Sequence, residues 1–322
     1  MRIISIRIRE NVMSYQGNLG ESMKNKNLLI VAAFAAGAIS VAMPVFADEN
    51  LLGYTKGAET LPKGAKELDV WVTNRSGKGQ GSYDAWDTKF EYEYGVTNSL
   101  TGSLYLNGMS IDTSGLIING YLPEEKQFGW RASGVEAALM QMHISPALKG
   151  FGLATYYALS YNWIDPHSGQ DKEKLSLELK LLTQNFYMSD QLIWLNNFIF
   201  EGTYADRDEI ANLPPDVEWP TDPEMEIGLS YRTGISYRFA PKWFVGAEIV
   251  YDTEFETEVG QERWTVQAGP SLHFAEQKWW ATFTWLPQIT GGGEMYDGQT
   301  DTNLHLIEKT EDEFRLKIGY NF

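Results

Sequence analysis

The chain has 322 residues, enough for one large domain or two ordinary ones, and carries a formal net charge of -17 with no cysteine. The absence of cysteine excludes a disulfide scaffold and a thiolate metal site. The negative charge disfavours nucleic acid and anionic membrane surfaces as partners. Aromatic residues are abundant (11 Trp, 17 Tyr and 15 Phe), which is a composition that favours β-strands.

Residues 1–47 predict export. From Met23 the chain reads MKNKNLLIVAAFAAGAISVAMPVFA, with two lysines, an apolar stretch and a small-x-small triplet, which are the three parts of a secretory signal peptide. We expect translation to start at Met23 and cleavage to follow Ala47. An uncleaved membrane helix is the alternative, which Pro44 and the cleavage triplet disfavour. The residues before Met23 form an N-terminal extension without a clear pattern.

Residues 48–64 precede the first predicted strand. Pro62 and Gly64 form a turn that begins this strand. Two interpretations of the segment stay open at this point: a periplasmic lead, or a short plug inside the mouth of a barrel.

The remainder of the chain alternates apolar and polar residues with the period of a β-strand. In residues 224–239, for example, Ile227 and Leu229 alternate with Glu226 and Ser230. These strands are longer than the five or six residues that are usual in soluble sheets, and they suit tilted transmembrane strands of about nine to eleven residues. Twelve strands are predicted, at residues 65–74, 83–94, 99–109, 128–144, 151–164, 172–185, 190–203, 224–239, 242–254, 261–275, 278–287 and 311–322.

The connections between these strands alternate in length. Five short turns, such as residues 240–242, lie between six long loops, such as residues 205–222 and 287–310. This sorting is typical of an outer-membrane barrel with both termini in the periplasm. The fold class predicted for residues 65–322 is therefore all-β, a transmembrane up-and-down antiparallel β-barrel of about 12 strands.

Aromatic residues gather at the strand ends, where two girdles are expected at the two membrane interfaces. A general preference of aromatic residues for strands is the alternative, but it does not explain their bunching beside the short turns, where Trp280 also lies. The predicted interface residues are Phe239, Trp243, Phe274, Trp279, Trp285 and Phe322.

Two segments carry a resemblance to known proteins. The final residues FRLKIGYNF resemble the C-terminal strand signal that the outer-membrane assembly machinery reads. Residues 51–83 resemble the opening of an uncharacterised family of Gram-negative outer-membrane β-barrel proteins, and are loosely similar to the barrels of the phenol-degradation meta-pathway. The resemblance implies an envelope protein with a transport role. It implies no particular chemistry.

The alternation turns charged residues of both signs inward. Such charges suit a water-filled channel and suit equally a closed barrel that is cross-linked by ion pairs. Twelve strands give a barrel of intermediate width, which a long loop such as 287–310 can obstruct. The predicted lumen-lining residues are Lys89, Glu91, Glu93, Glu178, Lys180, Glu226, Arg232, Arg238, Glu248, Arg263, Arg315 and Lys317.

No catalytic constellation is apparent, and we predict neither an enzyme nor a cofactor. Ser271 and His273 share the inward face of a strand, and we interpret them as polar lumen residues, since the His-Asp-Ser-Asn-Gly motif of outer-membrane phospholipase is absent. The acidic residues around Glu254 and Glu308 can bind Ca²⁺ or Mg²⁺ in principle. They are interpreted as a solvated acidic rim, so no metal site is predicted.

Three functions follow from this pattern. The favoured one is a narrow passive channel or transporter for small solutes, with a hydrophobic-substrate transporter as a variant suggested by Ile193, Leu195 and Ile199. The alternative is a plugged structural or surface-interaction barrel that acts through its long loops. A lipid-modifying enzyme is a minor alternative. The expected partners are outer-membrane lipid, lipopolysaccharide, the assembly machinery and small-molecule solutes, with no nucleic acid.

Overall fold

The computed structural model describes residues 50–117, 125–209, 221–256, 260–296 and 298–322. In these residues the sheet contains β1 (Lys66–Ser76), β2 (Gln80–Thr97), β3 (Leu100–Ile117), β4 (Gln127–Ile144), β5 (Phe151–Ile164), β6 (Asp171–Tyr187), β7 (Leu192–Arg207), β8 (Glu224–Ala240), β9 (Trp243–Glu256), β10 (Gly260–Ala275), β11 (Trp279–Trp285), β12 (Gln288–Gly293) and β13 (Asp312–Asn321). A short helix, α1 (Pro146–Lys149), connects β4 to β5. No helix in this part of the chain is long and apolar enough to cross a membrane.

The sheet closes on itself. Strand β1 pairs antiparallel with β2 on one side and with β13 on the other. Strand β13 also pairs with β11, and β10 pairs with both β11 and β12. Strands β11 and β12 pair with successive parts of β10, so together they occupy one strand position in the wall. The result is a closed antiparallel barrel of twelve strand positions, and the predicted fold class is confirmed.

The predicted strand 278–287 is interrupted where Pro287 follows Leu286. Proline has no backbone N–H to donate to a ladder, and the register of β10 shifts between Val266 and Gln267 opposite this break. Strand β2 extends the predicted strand 83–94 at both ends, and β3 extends the predicted strand 99–109 toward the long-loop end, because their pairing continues as far as Gln80 and Ile117.

Large apolar side chains cover the outer face of the barrel. A continuous apolar band of this kind is not found on soluble monomers, whereas a bilayer solvates it. Outward-facing residues that are about half exposed include Leu68, Leu104, Leu159, Leu175, Phe198 and Ile249.

The aromatic residues at the short-turn end of β9, β10 and β11 form one outer cluster. The ring centroids of Trp243 and Phe274 are 4.8 Å apart, and those of Phe274 and Trp279 are 5.0 Å apart. Trp280 does not belong to this outer girdle, because the alternation turns it inward, where it is 2% exposed and donates a hydrogen bond to Glu67. Phe239, Trp285 and Phe322 lie exposed on the outer face.

Candidate functional site

The predicted lumen residues lie on the less exposed side of their strands. Those that are almost completely buried are Glu91, Glu93, Glu226, Glu248, Arg263 and Lys317. They are buried because the interior contains two further parts of the chain. One is residues 50–64, called here the N-terminal segment, and the other is a set of long loops at the opposite end.

The N-terminal segment enters the barrel at the short-turn end. The backbone N–H of Gly64 donates to the carbonyl of Gly95, and the N–H of Leu61 donates to the Thr101 hydroxyl at 2.9 Å. Further along, Asn197 exchanges two hydrogen bonds with the backbone of Lys56. Because its bonds reach strands around the whole wall, the segment lies within the lumen.

Glu248 of β9 binds the innermost turn of the segment. Its carboxylate accepts hydrogen bonds from the backbone N–H groups of Gly53, Tyr54 and Thr55 at 2.9, 2.9 and 3.0 Å. The Thr55 hydroxyl donates a fourth bond at 3.1 Å. Three successive N–H groups around one carboxylate form a compact anion-binding arrangement, so Glu248 is the principal polar attachment of the segment.

Glycine is required at the closest approaches between the segment and the wall. A Cβ at Gly53 would lie 2.5 Å from the Thr284 hydroxyl. On the wall, Cβ atoms at Gly234 and Gly246 would lie 2.4 and 2.6 Å from the methyl groups of Leu52. Inward-facing glycines of this kind are consistent with a close backbone approach, although the sequence alone does not say which segment approaches them.

Apolar side chains anchor the same turn. Leu51 and Leu52 are 2% and 0% exposed and form a cluster with Ile193, Leu195 and Phe244. Ile193 and Leu195 of β7 therefore pack against the chain itself, whereas Ile199 lies in the wall of a cavity. Ile193 and Leu195 do not form the track for a hydrophobic substrate that the sequence suggested.

Ala58 fixes the middle of the segment. It is 0% exposed in a cluster that includes Tyr105 and Tyr156, and its N–H donates to the Gln184 side chain at 2.8 Å. The NH₂ group of the Gln184 side chain donates in turn to the carboxylate of Glu59 at 3.1 Å. Burial raises the pKa of Glu59 to about 7, although the Gln184 hydrogen bond opposes this shift.

Among the described residues, three connections contact one another across the long-loop end, and we call them the loop cap: residues 77–79, 165–170 and 304–311. The N–H of Gly79 donates to the carbonyl of Leu306, and the Lys78 ammonium donates to the carbonyl of His167. Burial, followed by the nearby Arg75 charge, lowers the pKa of Lys78 to about 7. Burial also lowers the pKa of His305 to about 4.

An apolar cluster holds the loop cap on the barrel wall. Leu306, Ile307 and Tyr296 pack against residues from β2 to β5, including Met109 and Ile111. The predicted loop 287–310 is therefore wrong in its first part, because residues 288–293 form β12 in the wall, whereas Tyr296, Leu306 and Ile307 pack over the mouth.

Between the N-terminal segment and the loop cap lies a partly open space, called here the lumen chamber. Its main cavity has a volume of about 370 Å³, and an adjoining cavity of about 240 Å³ extends toward the loop cap. Gly53, Tyr54 and Lys56 form the floor, and Pro166 of the loop cap contributes to the main cavity. A volume in this range suits one small molecule.

Basic residues outnumber acidic residues in the wall of the main cavity. The lining cations are Lys56, Lys89, Lys180, Arg232, Arg315 and Lys317, and the lining carboxylates are Asp87, Glu136, Glu178 and Glu201. Most of the carboxylates are already paired: Glu136 with Lys89 at 2.7 Å, and Glu178 with Lys180 at 2.8 Å. Asp87 is paired with Arg75, which lies outside the cavity lining.

Arg232, Arg315 and Lys317 have no such partner. Among the described residues, no carboxylate oxygen lies within 4.0 Å of their charged nitrogens. Each donates to the N-terminal segment instead: Arg315 to the carbonyl of Gly53, Arg232 to the carbonyl of Tyr54 and Lys317 to the Asn50 side chain.

Aromatic rings line the chamber beside these cations. The Arg315 guanidinium lies 3.7 Å from the ring centroid of Tyr54, and the Lys317 ammonium lies 4.0 Å from that of Trp71. Such cation–π contacts are attractive and strongest when they are desolvated. Tyr105 and Tyr156 complete the aromatic wall, with their hydroxyl groups 3.0 Å apart.

Ser271 and His273 are bonded to different neighbours. The Ser271 hydroxyl donates to Glu248 at 3.1 Å, and Nδ1 of His273 lies 2.7 Å from the Thr282 hydroxyl. Both residues are buried in the lumen at the level of the N-terminal segment, with no hydrogen bond between them in the described structure.

Among the described residues, two acidic groups at the long-loop end could hold a metal ion by geometry, but each contains a cation. The group of Glu224, Glu226 and Glu256 contains the ammonium of Lys172. In the group of Glu254, Glu262 and Glu308, Arg263 pairs with Glu254 and Glu308. Four of the six carboxylates are therefore compensated by protein charge, and Glu256 and Glu262 are not paired in this way.

The chamber brings together only part of the predicted site. Lys89, Glu178, Lys180, Arg232, Arg315 and Lys317 line the main cavity, and Glu226 and Arg263 line the adjoining one. Glu91 and Glu93 lie nearer the short-turn end, Arg238 lies at that end outside both cavities, and Glu248 binds the segment. The aromatic wall and the N-terminal segment also belong to the site, although strand alternation predicts neither of them.

Comparison with known proteins gives a family and a fold. A sequence profile of the Family of unknown function (DUF6662) matches residues 44–322. A search of curated proteins found no match. An outer-membrane channel from Pseudomonas putida F1 aligns with a TM-score of 0.52 at 11% identity, covering 82% of this chain and 98% of the channel. The β-domain of the Bordetella autotransporter BrkA aligns with a TM-score of 0.53 at 10% identity, covering 81% of this chain and 100% of that domain.

Proposed function

Since the chain belongs to the Family of unknown function (DUF6662) and has an outer-membrane channel fold, we propose that it is a gated channel for small solutes in the bacterial outer membrane. The observation that carries this proposal is the lumen chamber, a polar space of small-molecule size. The N-terminal segment closes it on one side and the loop cap on the other. A solute can then pass only when both the N-terminal segment and the loop cap move away from the lumen.

The attachments of the N-terminal segment support a gate on the short-turn side. They are noncovalent, and the polar ones converge on Glu248. A segment that enters from one end of the lumen is able to leave by the same end without opening the barrel wall. We therefore assign the gate to the N-terminal segment and the periplasm to the short-turn end.

Export and membrane partners belong to the same proposal. The apolar outer band requires lipid around the barrel, and lipopolysaccharide is the lipid of the outer leaflet in Gram-negative bacteria. The signal peptide and its cleavage after Ala47 lie outside the described residues and stay a prediction, as does recognition by the assembly machinery.

A plugged structural barrel is the second candidate, and the double closure favours it. In that case the contacts of the segment and the loop cap would be permanent, and loops such as 205–222 would carry the function. The two candidates differ in conductance, because only a gate has an open state.

The test is single-channel conductance of the refolded barrel in a planar bilayer, for the natural chain and for Glu248→Gln. The substitution keeps the size of the side chain but removes the charge that accepts three backbone N–H groups. We expect rare openings in the natural chain and a high open probability in the variant.

The matched control is Glu67→Gln, which removes another buried lumen carboxylate whose hydrogen bond comes from Trp280 on the wall. We expect the control to open as rarely as the natural chain. If Glu248→Gln folds and stays silent, the barrel is plugged permanently and the channel proposal is wrong.

A further inference from the structure

We propose that the lumen chamber binds a small organic carboxylate through Arg232 and Arg315, and that this anion competes with the N-terminal segment for their guanidinium groups. The inference rests on the proposed function, because it names the class of solute and the event that opens the gate.

The charges that line the chamber are not balanced. The carboxylates Asp87, Glu136 and Glu178 have cation partners. Neither arginine has a carboxylate oxygen within 4.0 Å in the described structure, although Glu313 lies near Arg315 and Asp252 near Arg232, and guanidinium groups remain charged at any relevant pH. A cavity wall with more cations than carboxylates favours an anion.

The two arginines contact adjacent residues of the N-terminal segment. Arg315 donates to the carbonyl of Gly53 at 3.2 Å, and Arg232 donates to the next carbonyl, that of Tyr54, at 3.3 Å. They converge on one short stretch of backbone. The Nε of Arg232 is buried without a hydrogen-bond partner among the described residues, so this guanidinium retains a donor that the protein does not use.

A carboxylate would compete with the backbone carbonyls of the segment for the two guanidinium groups. A guanidinium bonds a carboxylate more strongly than a neutral carbonyl, often through two parallel bonds. The hydrogen bonds that the two arginines donate to the segment are long, and both acceptors are uncharged carbonyl oxygens. A carboxylate that enters the chamber therefore gains by replacing the carbonyls of Gly53 and Tyr54, and the segment loses two attachments.

The aromatic side chains of the chamber favour an organic anion over an inorganic one. Trp71, Tyr105 and Tyr156 offer a carbon skeleton an apolar and aromatic wall, which an inorganic ion does not use. The cavity volume of about 370 Å³ admits one small molecule and excludes a polymer. Glu201, which also lines the cavity, disfavours a molecule with several negative charges.

The experiment is isothermal titration calorimetry on the full folded barrel in detergent. The probes are benzoate and glucuronate, each compared with its neutral counterpart, benzyl alcohol or glucose. We expect at least one carboxylate to bind at least tenfold more tightly than its counterpart. We expect this preference to disappear in the Arg232→Gln, Arg315→Gln double variant.

Arg238→Gln is the matched control, because Arg238 lies on the same strand and the same face as Arg232 but outside the chamber. It should retain the preference for the carboxylate. Binding of neither carboxylate, equal binding of a carboxylate and its neutral counterpart, or equal loss in the control would overturn the proposed site.

Competition with the segment is measured by thiol labelling of an Ala58→Cys variant, since the chain has no other cysteine. The bound carboxylate should accelerate labelling of the buried position at least threefold, and its neutral counterpart should not. Binding with no acceleration would overturn the competition. Calorimetry does not depend on conductance, so failure of this site is distinguishable from failure of the gate, which the Glu248→Gln recording tests separately.

Discussion

Glu248 shows how one side chain can determine whether the lumen is closed. It accepts four hydrogen bonds from the N-terminal segment, and a bond to a charged group contributes about 1.5–3 kcal/mol. A glutamine at this position has one acceptor oxygen and turns its NH₂ group toward backbone donors. A loss of about 3 kcal/mol is expected, which corresponds to roughly a hundredfold change in the ratio of open to closed channels.

If the N-terminal segment is a gate, Glu59 should make its closure depend on pH. Burial raises the pKa of Glu59 from 4.5 to about 7 when the segment is in place, with Gln184 opposing and Asp190 adding to the shift. The segment in place therefore holds a proton that the released segment would lose, so closure weakens as the pH rises from 4.5 through 7. The effect is at most roughly 3–4 kcal/mol. We expect a higher open probability at pH 8.5 than at pH 5.5.

Glu59→Gln separates this effect from other titrations, because glutamine remains neutral and keeps a hydrogen-bond partner for Gln184. The difference in open probability between the two pH values should shrink in the variant. An unchanged difference would assign the pH dependence to other groups.

At the level of single residues, the alternation predicted which charged side chains face inward, because the period of a strand leaves only two faces. It did not identify Tyr105 and Tyr156 as site residues, since an aromatic ring suits the lumen and the lipid face equally. Tyr54 was not predictable in this way, because the N-terminal segment has no periodicity.

At the level of elements, strand limits followed the alternation to within a few residues except where a hairpin continues beyond the wall. The interruption at Pro287 is visible in the sequence as a residue that cannot donate to the ladder. The path of the N-terminal segment is not visible there, because it depends on contacts with strands up to 267 residues away, such as that between Asn50 and Lys317.

Arg75 connects the loop cap to the wall. Its guanidinium donates to Asp87, to the Tyr83 hydroxyl and to the carbonyl of Pro166. Arg75→Gln removes charge-assisted bonds worth about 1.5–3 kcal/mol each. Amide hydrogen exchange in residues 165–170 should accelerate at least tenfold, without a change in the unfolding of the barrel.

Arg131→Gln is the control for this prediction, because Arg131 lies at the same end of the barrel and is exposed. Exchange in residues 165–170 should be unaffected by it. An Arg75→Gln protein with unchanged exchange would show that the apolar cluster alone holds the loop cap.

At the level of the whole molecule, the sequence predicted a closed twelve-strand barrel because closure needs only strand period, strand number and alternating loop length. The state of the lumen is a different kind of property. It depends on how residues 50–64 and the long loops pack inside a wall that is already formed, and no local pattern records that packing. The lumen charges alone left an open channel and a closed barrel equally acceptable, whereas the described residues place the N-terminal segment and the loop cap on either side of a cavity.

The central claim is that the N-terminal segment is the gate, and one recording tests it most directly. A single Ala58→Cys channel is recorded in a planar bilayer before and after a bulky maleimide is added, and the unmodified natural chain serves as the control because it has no cysteine. Ala58 is 0% exposed when the segment is in place, so a labelled segment cannot return to the lumen. We predict that labelling converts brief openings into a permanently open channel. A conductance that stays unchanged after complete labelling would contradict the gate.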